Sequence, residues 1–335
     1  MMGHGSSAMS GPAHRTVDTN GIHMHIVEHG AGPAVLLCHG FPELWYSWRH
    51  QLAPLAGAGF HAVAPDMRGY GQTDAPSEIE RYTLLHHVGD MIGLLDALGI
   101  ERAVIAGHDW GAPVAWLAAQ LRPDRFRGVI ALSGPFGPRG LSRPTEIMPQ
   151  NADSLFYQLY FQTSGVAEAE FEHDVRSTIR VMLYSISGDA PDLAGSVVDR
   201  NAPGMVSRKG GLLTKMQNPE VLPPWLSETD VGFYVSEFAR TGFRGGLNWY
   251  RNIDRNWALL APFAGTKISV PALYIAGERD IVLNFPGVRQ RIADMAKFVP
   301  QLRRTIILPG CGHWTQQERT ADVNAEMIDF LRTVL

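Results

Sequence analysis

Cysteine is almost missing: among 335 residues only Cys38 and Cys311 carry thiols, too few for a disulfide framework or a Cys-rich metal site. Each lies in an apolar or glycine-rich run that reads as core, and the pair points to a reducing, cytoplasmic setting. No unbroken apolar run reaches the roughly 18 residues that a membrane-crossing helix needs. The first residues, rich in Gly, Ser and Met, lack the basic-then-apolar order of a secretory leader; residues 1–14 read as a disordered lead-in. Positive charge has no surplus, with 29 Lys and Arg against 33 Asp and Glu and a formal net charge of -4. Nucleic acid and anionic membrane are therefore poor partners, and a small neutral ligand is the better expectation. Internal repeats and low-complexity tracts are lacking, which excludes a solenoid. So are Cys/His clusters at ligand spacing, so no metal and no cofactor is expected.

What is present is a core. A hydrophobic content of 45% with 19% charged residues suits one large domain carrying an insertion. Two alternating segments flank Asn20-Gly21, a strong hairpin signal. Ala34-Val35-Leu36-Leu37-Cys38 is apolar throughout, as a strand buried on both faces must be. A helix over 44–55 follows, with Trp45, Trp48 and Leu52 on one side, then a strand over 60–66 and a helix over 84–98 that stops at Gly99. Strands alternating with helical periods imply right-handed crossovers and a mostly parallel sheet with helices on both faces.

Proline then crowds the chain at 135, 138, 144 and 149, ending the rhythm. From 152 to about 260 no strand is expected; 154–162, 166–186, 227–240 and 247–260 read as helices, an inserted helical cap. Strands return at 270–276 and 304–308, and a helix over 321–334 closes the chain. The expected division is a core in two parts, 15–134 and 268–335, around a cap at 135–267.

The sheet is organised around Val104-Ile105-Ala106-Gly107-His108-Asp109-Trp110-Gly111. Gly107 and Gly111 flank Asp109 in the spacing of a nucleophile elbow, the sharp strand-to-helix turn that presents its middle side chain. That side chain is a carboxylate, which attacks carbon with no base to deprotonate it. Alone, Asp109 would serve equally well as a helix cap. Two further positions weigh against that: Asp280 follows the penultimate strand and His313 the last, giving the order nucleophile, acid, histidine of an α/β-hydrolase triad, with each member at the carboxyl end of a strand. Other histidines, His23, His25, His86, His87 and His173, read as structural. In His39-Gly40-Phe41-Pro42, a loop after an early strand can aim the backbone N–H of Phe41 at the site beside that of Trp110, forming an oxyanion hole. Gly40 permits close approach, Pro42 suits a cis bond in so tight a turn, and His39 braces the loop.

These motifs, with Tyr157-Gln158-Leu159-Tyr160-Phe161-Gln162 and Leu247-Asn248-Trp249-Tyr250-Arg251-Asn252, resemble the soluble epoxide hydrolases of the α/β-hydrolase fold, from about Thr16 to near the C-terminus. The likeness covers bacterial single-domain members and the hydrolase half of the vertebrate enzyme. It implies Asp109 as nucleophile, His313 as base, Asp280 as its partner, and Tyr157 and Tyr250 as proton donors to an apolar epoxide. Phe41, Trp110, Phe161, Trp314 and Gln158 are expected around the pocket. A haloalkane dehalogenase shares the Asp nucleophile but needs no acid, and a non-catalytic ligand-binding protein of the same fold is a further alternative. The particular epoxide and the oligomeric state, a homodimer being one option, are left open.

Overall fold

The computed structural model describes residues 11–192, 195, 199 and 202–335. Asn20 and Gly21 both hold positive φ, 45° and 74°, the backbone a two-residue hairpin turn demands. They join β1 (Ala13–Thr19) to β2 (Ile22–His29) as an antiparallel pair. Ala13 and His14, expected in the lead-in, are therefore already strand, because β2 extends far enough to pair with both. Of the rest of that lead-in, residues 1–10 lie outside the described residues.

The chain continues through β3 (Ala34–Cys38), α1 (Arg49–Gly57), β4 (His61–Pro65), α2 (Leu84–Ala97), β5 (Ala103–His108), α3 (Gly111–Leu121) and β6 (Phe126–Leu132). It then enters the cap: α4 (Pro144–Ile147), β7 (Ser154–Phe156), α5 (Tyr157–Tyr160), α6 (Val166–His173), α7 (Val175–Ser185), β8 (Met205–Ser207), α8 (Glu228–Thr241), α9 (Arg244–Arg251) and α10 (Ile253–Leu259). It returns through β9 (Ala272–Gly277), α11 (Val288–Asp294), β10 (Leu302–Leu308), α12 (Thr315–Glu318) and α13 (Thr320–Val334).

Eight strands form one sheet in the order β1-β2-β4-β3-β5-β6-β9-β10, with β3, β4, β5, β6, β9 and β10 mutually parallel and the β1, β2 hairpin antiparallel at one edge. Successive side chains of a strand point to opposite faces, so a strand covered on both sides must be apolar at every position. Val35 and Leu37 pack with Trp48, Leu52 and Phe330 on one face. Leu36 and Cys38 pack with Met91 and Ala115 on the other. Full burial of each large aliphatic side chain is worth about 1.5–3 kcal/mol, which holds the helical layers to the sheet. From β3 the chain goes to β4 on one side, whereas β5, β6, β9 and β10 are added on the other. The crevice at the carboxyl ends of β3 and β5 is the place where such a sheet gathers its ligands.

The cap departs from expectation in detail. β7 and β8 pair antiparallel, but at three residues each they are too short to write a two-residue period into the sequence. The segment expected as helix over 154–162 therefore starts as strand. The helix expected over 166–186 breaks at Asp174, whose side chain accepts the Ser177 N–H and caps α7; a capped start outcompetes one long helix. The expected 247–260 helix is interrupted at Asn252 and begins earlier, at Arg244. In α8, Ser227 and Asp230 form a reciprocal capping box. The same Asp230 pins the cap to the core, accepting from the Tyr46 hydroxyl at 3.0 Å and pairing with Arg49 at 3.1 Å. No helix of the described residues is long and apolar enough to cross a membrane.

Candidate active site

Asp109 stands on the turn between β5 and α3 with φ 50°, a left-handed conformation that costs a non-glycine residue energy and persists only when its surroundings impose it. The neighbours do impose it. A Cβ on Gly107 would lie 2.0 Å from the Gly111 carbonyl oxygen, and one on Gly111 would lie 2.1 Å from that of Cys38. Strand and helix thus approach too closely for any side chain, and the carboxylate is pushed up into the crevice.

The loop after β3 reaches the same point. Phe41 and Pro42 are joined by a cis peptide bond, and the Phe41 N–H donates to Asp109 Oδ1 at 2.8 Å. A Cβ on Gly40 would fall 2.3 Å from that oxygen and 2.7 Å from the Trp110 nitrogen, so both backbone donors flank the carboxylate only because residue 40 is glycine. His39 accepts the Met67 N–H at Nε2 (2.9 Å) and donates from Nδ1 to the Gly40 carbonyl (2.9 Å), fixing the loop as a neutral imidazole. Burial, partly offset by nearby carboxylates, lowers its pKa.

His313, on the loop after β10, brings Nε2 to 3.5 Å from Asp109 Oδ2 and donates from Nδ1 to Asp280 Oδ1 at 2.9 Å. The Ser133 hydroxyl, at the end of β6, is 3.2 Å from the same Nδ1. From the cap, Tyr157 at the start of α5 and Tyr250 on α9 face each other at 5.9 Å between rings. Asp109, His313, Tyr157, Tyr250, Phe41 and Phe161 all line one cavity of about 80 Å³, together with apolar residues including Met182, Ile281 and Phe285.

Three residues expected to line the pocket do not line this cavity. Trp314 is fully buried behind His313, its indole N–H donating to the Leu183 carbonyl at 2.6 Å. Trp110 sets its ring edge-on against Tyr250 at 5.0 Å. Gln158 turns aside and donates to the Tyr157 hydroxyl at 3.0 Å. In each case the side chain has a better use in holding a lining residue than in touching the cavity.

Residues 33–320 match the family described as alpha/beta hydrolase fold. Epoxide hydrolase A of Mycobacterium tuberculosis is 45% identical over 96% of this chain and 98% of its own. Bifunctional epoxide hydrolase 2 of Sus scrofa is 42% identical over 93% of this chain, which spans 54% of that longer protein. The crystal structure of epoxide hydrolase A from Mycobacterium thermoresistibile superposes with a TM-score of 0.89 at 45% identity, covering 97% of this chain and 99% of that one. The chain belongs to the epoxide hydrolases of the α/β-hydrolase fold. An epoxide hydrolase from an endophytic Streptomyces gives a TM-score of 0.91 at 42% identity, covering 96% of both chains.

The electrostatics of this epoxide hydrolase site follow from burial and pairing. Burial disfavours the Asp109 carboxylate, but hydrogen bonding and charge from His313 outweigh it and its pKa falls. Burial likewise opposes the His313 imidazolium, yet Asp280 and Asp109 together raise its pKa well above 6.5. The resting site thus favours a carboxylate and imidazolium pair. Burial, reinforced by the Asp109 charge, raises the pKa of both Tyr157 and Tyr250, so both phenols hold their protons.

Two residues beneath the site escaped the sequence reading. His108 Nδ1 lies 2.7 Å from Glu43 Oε2 and its Nε2 lies 2.7 Å from the His313 carbonyl oxygen. Glu43 also accepts from the Gly40 N–H at 3.0 Å and from Gln316 at 3.0 Å. One buried carboxylate thereby ties the Phe41 loop, the elbow strand and the His313 loop together. The available signal was adjacency: Glu43 follows Pro42 and His108 precedes Asp109. Among the described residues no group of three or more His, Cys, Asp or Glu side chains is arranged to hold a metal ion.

Proposed function

We propose that this protein converts an apolar epoxide and water into a vicinal diol through an ester on Asp109. The observation that carries this reading is the shared cavity: two protonated phenols, Tyr157 and Tyr250, face the carboxylate of Asp109 and the ring of His313 across an apolar space. An epoxide oxygen held by the two hydroxyls places a ring carbon toward Asp109, and holding reactants in line replaces a bimolecular encounter. Attack by a carboxylate oxygen breaks the carbon–oxygen bond, and a phenol passes its proton to the alkoxide as it forms. A halide would need no such acid, and the Trp110 indole, a natural halide donor, is absent from the cavity lining; both points disfavour a dehalogenase.

Esterification then changes the state of His313. Asp109 is neutral as an ester, so the imidazolium loses one of the two carboxylates that raise its pKa, and the phenolate it faces is a ready proton acceptor. Neutral His313, held by Asp280, takes a proton from water as that water attacks the ester carbonyl. The N–H groups of Phe41 and Trp110 meet the oxyanion, and collapse releases the diol and restores Asp109. The free, buried thiols of Cys38 and Cys311 support a cytoplasmic setting.

The test is a single turnover in heavy-oxygen water with enzyme in excess over an aryl or alkyl epoxide. Ester chemistry gives diol containing ordinary oxygen and leaves the label in the peptide bearing Asp109. A diol labelled in that first turnover, with an unlabelled peptide, would replace the ester route by direct attack of water.

A further inference from the structure

A second cavity is larger than the one that holds Asp109. About 320 Å³ of space lies along α3, walled by Trp116 and Leu117 of that helix, Phe136 of the segment leaving β6, and Trp257, Leu260 and Phe263 of the segment returning from the cap. That volume is within the range of ordinary small-molecule sites, whereas the catalytic cavity is about 80 Å³. Both connections between cap and core run along it.

Its walls are fixed and their polar groups are mostly spent. Trp116 donates to the Gly134 carbonyl at 3.0 Å, Trp257 to that of Gly140 at 2.8 Å, and Gln120 to that of Thr266 at 2.6 Å. The Arg139 guanidinium lies 3.9 Å over the Trp257 ring and donates to its backbone carbonyl at 2.7 Å. Arg291 is the exception. Its stem runs beneath Gly137, where a Cβ would meet it at 2.4 Å, and the residue, exposed to solvent, lines the cavity. Among the described residues no acidic side chain pairs with it; the only ionisable neighbour that bears on it is the Tyr274 phenol. An aromatic, aliphatic cleft lined by one solvent-exposed guanidinium that no carboxylate of the described residues engages, with a second cation stacked at its wall, matches a ligand with an apolar body and a single carboxylate, since guanidinium and carboxylate pair in a two-pronged geometry. Leu141, 97% exposed beside Gly140 at the rim, offers further apolar surface to the tail of such a ligand.

We propose that this chamber at the cap hinge is a second binding site, separate from the catalytic cavity, for an amphipathic monocarboxylate of the medium-chain fatty acid type. The carboxylate pairs with Arg291 and the tail lies among Trp116, Phe136, Trp257 and Phe263. Because both hinge segments line the chamber, its occupant touches cap and core at once.

The probe is decanoate, kept below its micelle concentration, with decanol as a control for the same tail without the charge. Binding is followed by calorimetry and by the intrinsic fluorescence of the wall tryptophans, in the parent protein and in Arg291→Met, which keeps the stem length and removes the donors. The expected result is saturable decanoate binding that weakens at least 10-fold in Arg291→Met, while decanol binding, the melting temperature and epoxide turnover without decanoate are unchanged. In the parent, decanoate is expected to bind equally well when the catalytic cavity is saturated with diol product. Equal decanoate affinity in both proteins, displacement of decanoate by the diol, or no saturable binding would each overturn the proposal. None of these outcomes depends on how Asp109 reacts, so the site and the reaction are judged separately.

Discussion

Taking the oxygen from Tyr157 or Tyr250 leaves a ring that fills almost the same space, so the two positions separate chemistry from packing. Each ring already has structural company: Tyr157 packs at 5.5 Å from Phe161, and Tyr250 stands edge-on to Phe41 at 5.5 Å and to Trp110 at 5.0 Å. Those contacts survive a change to phenylalanine. A positioned general acid contributes about 100- to 10,000-fold, and with two donors sharing one oxygen the second partly covers for the first. Tyr157→Phe or Tyr250→Phe is therefore expected to slow formation of the Asp109 ester by about 10- to 1,000-fold, and the double change to nearly abolish it. Rapid-mixing measurement of the alkylation step checks this; single variants that alkylate at the parental rate would make both tyrosines packing residues only.

At the scale of the element, the turn from β5 into α3 is the most constrained part of the chain. The helix starts so close to β3 that a single methyl group at Gly111 would sit 2.1 Å from the Cys38 carbonyl oxygen, with backbone on both sides and no flexible side chain to yield. Gly111→Ala is expected to destabilise the fold by about 3 kcal/mol or more, at the upper end of overpacking effects, and to cost activity because Asp109 and the Phe41 N–H move apart. Gly57, the last residue of α1, is the control: a Cβ there meets nothing within 4 Å. Gly57→Ala should be neutral or stabilise by up to about 1 kcal/mol through the unfolded chain. Chemical denaturation of the two variants side by side decides the matter, and similar stabilities would remove the steric account of the elbow.

At the scale of the whole molecule, the contacts of His313 with Asp109 and Asp280 link the ends of three strands, and the protonation of this cluster contributes to global stability. The folded pKa of His313 is raised above the ordinary value of 6.5. A raised cation pKa contributes stability that is fully present below the unfolded value, near pH 6.5, and is lost as pH climbs through the folded value. In His313→Gln, Asp109 and Asp280 face a neutral amide at every pH. Its melting temperature is thus expected to fall furthest below the parent's in mildly acidic buffer, with the gap narrowing as the pH is raised. A melting-temperature series across pH for both proteins reads this directly, and a constant gap would mean that the ion pairing of His313 carries no folding energy. The same variant has Asp109 intact and should still form the ester, which intact-mass measurement would register as one added epoxide.

The sequence alone determined the sheet, its direction and which residues the strand ends bring together. Continuous apolar runs such as 34–38 follow from burial on both faces, Asn20-Gly21 from the turn's positive φ, and Gly107 and Gly111 from the closeness of strand and helix; each is a local constraint that leaves a local trace. Asp109, Asp280 and His313 were legible for that reason, each standing where a strand ends. The tertiary structure decided what depends on distant partners. Glu43 and His108 are 65 residues apart and meet only when β3 and β5 become neighbours. The broken cap helices and the short β7 and β8 pair are settled by capping and contact with the rest of the fold. Trp314, Trp110 and Gln158 look in sequence like pocket residues, because composition reports that a side chain is aromatic or polar but not which way it faces. That direction is set by packing, which turned all three to support the lining residues.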